Sequence, residues 1–146
     1  MDTKYRSKGH SKFLLRYHLI LVCKYRRKLM SANNISSDIK KLSEEIALRH
    51  NVNIWYVESD NDHIHYMIET TPNMNLSNFI KTLKSYTTYH VWKKYPAYLS
   101  KCFWTEKTFW SDGYFIASIG EVSAATLKEY IENQGKSGWL IETFNI

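Results

Sequence analysis

Residues 57–70 read Val-Glu-Ser-Asp-Asn-Asp-His-Ile-His-Tyr-Met-Ile-Glu-Thr. The turn-forming run Ser59, Asp60, Asn61, Asp62 separates two apolar segments, which predicts a β-hairpin closed by a short polar loop. Residues two apart on a strand point to the same side. His63 and His65 therefore share a face with Met67 and Glu69, while Ile64, Tyr66 and Ile68 take the other. The apolar face belongs to a core, and the imidazoles are left on the opposite side. Two imidazoles roughly 7 Å apart along a strand can converge on one ion or phosphate if the strand twists and the rotamers lean together. Taken alone, H-x-H is weak evidence, because two polar residues on a half-exposed strand read the same way.

A chain of 146 residues with five Gly, two Pro, no low-complexity stretch and no internal repeat reads as a single domain, 1–146, large enough to bury a core. Cys23 and Cys102 are far apart and form no CxxC pair, which argues against a disulfide framework or a structural zinc site and fits a reducing cytoplasm. The apolar run after Lys4, Arg6, Lys8 and Lys12 is interrupted by Arg16 and His18 and has no small-residue cleavage site, so no signal-peptide pattern is present. No apolar segment is long enough for a membrane span. The formal charge of +6 and an aromatic content of 15% suit single-stranded nucleic acid, with cations on phosphates and rings on bases. A core rich in rings beneath an ordinary solvated surface would show the same composition.

Working outward from the hairpin, residues 1–12 form a basic N-terminus expected to be loosely held, and residues 13–23 are predicted as the first strand. The cluster Lys24, Tyr25, Arg26, Arg27, Lys28 at its end is either a phosphate grip or a solvated loop. Ser36 or Ser37 can cap a helix with Ile39, Leu42 and Ile46 on its buried side. Strands follow at 52–58 and 63–70. A second helix with Phe79, Ile80 and Leu83 inward ends before Pro96. Its Lys81 and Lys84 share a face that can track a phosphate backbone or simply meet water. Residues 98–112 carry Phe103, Trp104, Phe109 and Trp110 without a regular pattern. Residues 113–119 are a fourth strand, and Ser123 starts a third helix reaching about Gln134, with a tail at 135–146.

The order is β-α-β-β-α-β plus an extra C-terminal helix. This is an α+β, ferredoxin-like (RRM-like) antiparallel sheet with two helices on one face and the histidines on the other. Tyr130 and Gln134, four residues apart on the extra helix, lie on one side of it.

The ordered set Asp62-His63-Ile64-His65, Trp110-Ser111-Asp112-Gly113-Tyr114-Phe115, Ser118-Ile119-Gly120 and Tyr130-Ile131-Glu132-Asn133-Gln134 resembles the single-tyrosine HUH transposases, the TnpA type of the insertion-sequence 200/605 group. Related repeat-associated HUH transposases share much of the pattern. The resemblance implies a bacterial or archaeal cytoplasmic enzyme that cleaves and rejoins single-stranded DNA at insertion-sequence ends through a 5′-phosphotyrosine. It implies Tyr130 as the catalytic nucleophile and His63, His65 and Gln134 as ligands of Mg²⁺ or Mn²⁺; ligand type alone also allows zinc. It further implies a homodimer with composite active sites and single-stranded substrates folded into hairpin ends, for which Arg26, Arg27, Lys81 and Lys84 are the candidate DNA contacts. A non-catalytic single-strand-binding module and a zinc hydrolase using H-x-H are the competing readings.

Overall fold

The computed structural model describes residues 6–8, 11–13 and 15–119. Within the basic N-terminal segment, β1 (Arg6–Lys8) and β2 (Ser11–Phe13) form a small antiparallel ladder of their own, with Arg6 opposite Phe13. The main sheet is built from β3 (Leu15–Val22), β4 (Asn53–Ser59), β5 (His63–Thr70) and β6 (Phe115–Ser118), in the order β4-β5-β3-β6 with every neighbouring pair antiparallel. Helix α1 (Ile35–Arg49) carries the chain from β3 to β4 and leaves β5 to fill the gap between them. Helices α2 (Leu76–Lys94) and α3 (Pro96–Phe103) carry it from β5 to β6 on the far side of β3. This is the split βαβ arrangement that the order of sequence elements predicts.

The core lies where the period-two reading puts it. Leu19 and Leu21 of β3 and Ile64, Tyr66 and Ile68 of β5 pack with Ile35, Ile39 and Ile46 of α1 and Phe79, Ile80 and Leu83 of α2. Tyr66 is fully buried, and its hydroxyl meets the Ser43 hydroxyl at 2.7 Å, so the one polar atom this ring takes inside is satisfied. The two helices are tied across their outer sides by Tyr86 to Glu45 at 2.9 Å and by Lys94 and Tyr95 to Asp38.

Several boundaries differ from the sequence-based expectation for identifiable reasons. Helix α1 begins at Ile35, ahead of both serines offered as caps, and Ser36 uses its hydroxyl on Ser59 of β4 at 2.6 Å instead of on the helix end. Helix α2 is capped by Asn75, whose side-chain oxygen accepts from the Asn78 N–H at 2.9 Å. Part of the unassigned 98–112 stretch belongs to α3. Pro96 both ends α2 and opens α3 at its first turn, where the missing N–H costs nothing. Trp104 leaves that helix at φ 56°. The chain then lays Cys23 against Trp110 in an isolated bridge, and Ser111 donates to the Val22 carbonyl at 2.8 Å. Strand β6 is shorter than the predicted 113–119, because the Gly113 carbonyl turns toward Lys84. The helix expected from Ser123 to about Gln134 and the tail at 135–146 lie outside the described residues.

Candidate functional site

The register of the two central strands sets the site. Val22 stands opposite His63, Ile20 opposite His65, His18 opposite Met67 and Arg16 opposite Glu69, so all eight share the face turned away from α1 and α2. Phe115 and Ala117 of β6 join this face through their pairing with Ile20 and His18. The histidine rings close up well below the strand repeat: their centroids are 4.7 Å apart, edge to face at 77°. The face is also less open than a bare sheet, since His63 and His65 are 4% and 2% exposed.

Asp62, the last residue of the hairpin loop, accepts from His63 Nδ1 at 2.6 Å. The His63 hydrogen bond, with Arg26 nearby, holds the Asp62 carboxyl below the usual carboxylate range, although partial burial opposes this. An ionised carboxylate can only accept, so His63 donates from Nδ1 and the ring's other nitrogen, Nε2, faces away from the loop. That Nε2 is buried and has no hydrogen-bond partner among the described residues. Buried imidazole nitrogens are normally paired. An unpartnered Nε2 whose ring is fixed from behind by a carboxylate is the form in which histidine coordinates a metal.

His18 is the residue that sequence reasoning missed. Its ring stacks on His65 with centroids 5.7 Å apart and planes 22° apart, and its Nε2 lies 3.4 Å from His65 Nδ1. Phe115 stands edge-on to it at 6.1 Å. Burial pushes its pKa down to about 4, so a neutral ring backs His65 at physiological pH. Farther along the same face Arg16 Nε donates to Glu69 at 3.0 Å, both side chains being buried, and its guanidinium lies over the Trp55 ring at 5.4 Å. Trp55 sits at the irregularity in the β4–β5 pairing between Ile54 and Tyr56, where an extra residue shifts the register.

The four candidate DNA contacts separate into three situations. Arg26 and Arg27 are exposed on the turn that follows β3. Tyr25 and Arg26 hold φ of 59° and 56° there, and Arg26 Nε approaches Asp62 at 3.8 Å. Two consecutive left-handed non-glycine residues are costly and persist only where the surroundings impose them. Arg27 lies over Tyr25 and Phe103 at 5.8 and 5.5 Å. Lys81 is exposed on α2. Lys84 is turned inward: its ammonium donates to the carbonyls of Ser111, Asp112 and Gly113 at 2.7, 3.2 and 3.2 Å. Burial lowers its pKa from the ordinary lysine value.

Tyr130 and Gln134 lie outside the described residues. Among those that are described, no three His, Cys, Asp or Glu side chains gather to hold a metal ion. The histidine pair nevertheless has the donor chemistry of part of such a site, two imidazoles side by side with one ring nitrogen unpartnered among the described residues. Among the described residues no helix is long and apolar enough to cross a membrane.

Comparison with known proteins agrees with this fold. Residues 11–134 match the family described as "Transposase IS200 like". The chain is 28% identical over 122 residues to the ISDra2 transposase TnpA of Deinococcus radiodurans, covering 84% of this chain and 85% of that one. It is 28% identical over 132 residues to the transposase for insertion sequence element IS200 of Salmonella typhimurium, covering 88% and 82%. Among solved structures, a putative transposase from Deinococcus radiodurans superposes with a TM-score of 0.71 at 25% identity, over 88% of this chain and 97% of that one. A REP-associated tyrosine transposase bound to a REP hairpin shares the fold at a TM-score of 0.60 and 10% identity, over 91% and 76%. The antiparallel sheet with helices α1 and α2 on one face is thus the scaffold of a transposase, and the chain belongs to the IS200-like, TnpA-type transposases of the IS200/605 group.

Proposed function

We propose that this transposase cleaves and rejoins single-stranded DNA at the ends of its own insertion sequence, with Tyr130 as nucleophile. The observation that carries the reading is the buried His63–His65 pair, with a His63 Nε2 that has no partner among the described residues and Asp62 fixed behind the ring. His63, His65 and Gln134 would hold a divalent cation, Mg²⁺ or Mn²⁺. When bound, the ion supplies Lewis acidity at the scissile phosphate and a field that favours a phenolate, which in water forms only near pH 10.

The chain's own residues do the rest. The phenolic oxygen of Tyr130 loses its proton and bonds to phosphorus, while the bond from phosphorus to the 3′ oxygen breaks. That oxygen takes up a proton and leaves as a free 3′-hydroxyl, and the strand stays on the enzyme as a 5′-phosphotyrosine. Because the phosphodiester is exchanged rather than hydrolysed, an incoming 3′-hydroxyl can reverse the step and restore the tyrosine without ATP. Asp62 orients the His63 ring, and neutral His18 backs His65. The single-stranded ends, folded as hairpins, are gripped by exposed cations such as Arg26, Arg27 and Lys81. Lys84, held by three carbonyls, acts by shaping the 111–113 loop. The active unit is a homodimer with the histidine pair and the tyrosine helix drawn from different subunits, working in the cytoplasm of a bacterium or archaeon.

The test is incubation of the full chain with single-stranded DNA from its own element's ends and Mn²⁺, followed by a denaturing gel. A covalent protein–DNA adduct that EDTA prevents is expected, and none across real end sequences would remove most of the support for this chemistry. Gln134→Ala should weaken metal-dependent cleavage more than hairpin binding, and an equal loss of both would make Gln134 structural. Asp62→Ala should lower apparent Mn²⁺ affinity by about 10–100-fold, the usual effect of removing a carboxylate behind a histidine ligand. A Mn²⁺ titration of cleavage should then recover most of the rate at high metal. A loss that no concentration of Mn²⁺ restores would assign Asp62 a different role.

A further inference from the structure

A groove of about 890 Å³ lies between the C-terminal half of α2, α3 and the 107–112 loop. Trp92 and Trp110 form its apolar floor, both nearly buried, and Tyr89 stands on its wall 62% exposed. Lys93 and Lys107 line it, both exposed and neither in a salt bridge among the described residues. Asp112, its one acidic lining residue among those described, is neutralised by Lys24 at 2.9 Å. The excess of positive charge calls for a polyanion. The exposed tyrosine ring calls for bases that are free to stack, which a duplex does not offer.

The groove also adjoins the end of β3 that pairs with the histidine strand. Ser111 on its wall donates to the Val22 carbonyl at 2.8 Å, and the register partner of Val22 on β5 is His63. Groove and histidine pair thus share one end of the sheet, joined through a single strand. The loop between them is fixed by Lys84 on the carbonyls of residues 111–113, so the wall is shaped before anything binds. A preformed wall avoids part of the ordering cost of binding.

We propose that this groove is a track for the single-stranded DNA flanking the cleaved bond, with phosphates on Lys93 and Lys107 and a base on Tyr89. The inference rests on the proposed function only for the identity of its ligand, and binding can be measured with no cleavage at all.

The experiment uses the full chain in EDTA, with fluorescent oligothymidylate of twelve nucleotides and, separately, a fully paired hairpin, read by anisotropy across salt concentrations. For Lys93→Glu with Lys107→Glu, oligothymidylate binding should fall by at least about tenfold, and the slope of log affinity against log salt should drop by about 1.4, or 0.7 per lost contact. Tyr89→Ala should cost about tenfold with the slope unchanged, because a stacked base releases no counterion. Paired-hairpin binding should change by less than about threefold in both. Lys93→Gln with Lys107→Gln repeats the test without reversed charge, and thermal melts confirm that these exposed substitutions leave the fold intact. Unchanged oligothymidylate affinity and slope would overturn the proposal, as would equal losses for the paired hairpin. If the wild-type chain forms no covalent adduct yet binds oligothymidylate in this groove-dependent way, the cleavage chemistry falls and the track stands.

Discussion

Tyr130→Phe is expected to leave no covalent protein–DNA adduct while hairpin binding stays within about twofold of the parent. The substitution removes one oxygen and keeps the ring, so whatever packing the side chain makes is largely retained, but phenylalanine has no atom that can bond to phosphorus. His63→Ala is expected to fail differently. It deletes a ligand and leaves the nucleophile, so adduct formation should slow by about 10³-fold, corresponding to about 4 kcal/mol of lost charge stabilisation, without vanishing. The alanine also removes a buried ring and the partner of Asp62, so a stability loss of about 1–3 kcal/mol is expected beside the catalytic one, and a thermal melt keeps the two effects apart. Adduct yield on a denaturing gel, followed over time beside a hairpin-binding assay, separates the two cases. An adduct that survives Tyr130→Phe would move the nucleophile to another residue. Intact cleavage in His63→Ala would return the histidine pair to the status of two polar residues on a sheet.

The second large effect is structural. Trp110→Ala should destabilise the chain by about 3–5 kcal/mol, as loss of a buried aromatic generally does, and lower Tm by about 10 °C or more. Trp110 is 4% exposed, stands edge-on to Phe109 at 4.7 Å, and bridges Cys23 through its backbone. Its indole N–H donates to Thr87 Oγ1 at 2.9 Å inside the protein. Trp110→Phe keeps much of the volume and removes that donor, so a smaller loss of about 1 kcal/mol is expected. Urea unfolding of both variants provides the check. A cost below about 1 kcal/mol for the alanine would mean that the 109–111 segment is not part of the cooperative core.

How much of this was legible in advance depends on the distance over which each signal acts. The sheet order and its two faces could be read because alternation is local. Ile64, Tyr66 and Ile68 announce one side and His63 and His65 the other, and the structure keeps that assignment. His18 belongs to the same logic, but its signal is incomplete within its own strand. Arg16 and His18 are two apart in an otherwise apolar strand, which marks them as sharing a face, but their partners Glu69 and His65 are set by a register no single segment contains. Helix α3 has no clear sequence signal because Pro96 reads as a stop for α2 and is equally at home in a first helical turn. Lys84 reads in the sequence as a helix lysine sharing a face with Lys81 and a candidate phosphate contact, and its inward turn has no local signal. Its acceptors are backbone carbonyls 27 to 29 residues away in an irregular loop, and carbonyls carry no side-chain signature.

The hairpin loop at 60–62 has a consequence for anyone wishing to alter this protein by insertion or deletion. Its backbone is held from two directions: the Asn61 carbonyl accepts from Met30 at 3.0 Å and the Asp62 carbonyl from Cys23 at 2.8 Å. Reversals of this kind usually tolerate a grafted epitope or a trimmed residue, but here a change of one residue would have to be absorbed by sliding β5. A slide of one position would turn Ile64, Tyr66 and Ile68 toward the face away from α1 and α2 and bury both imidazoles among the helices. Length variation in this enzyme should therefore collect in other connections, and libraries built by random insertion should return active clones almost everywhere before they return one here.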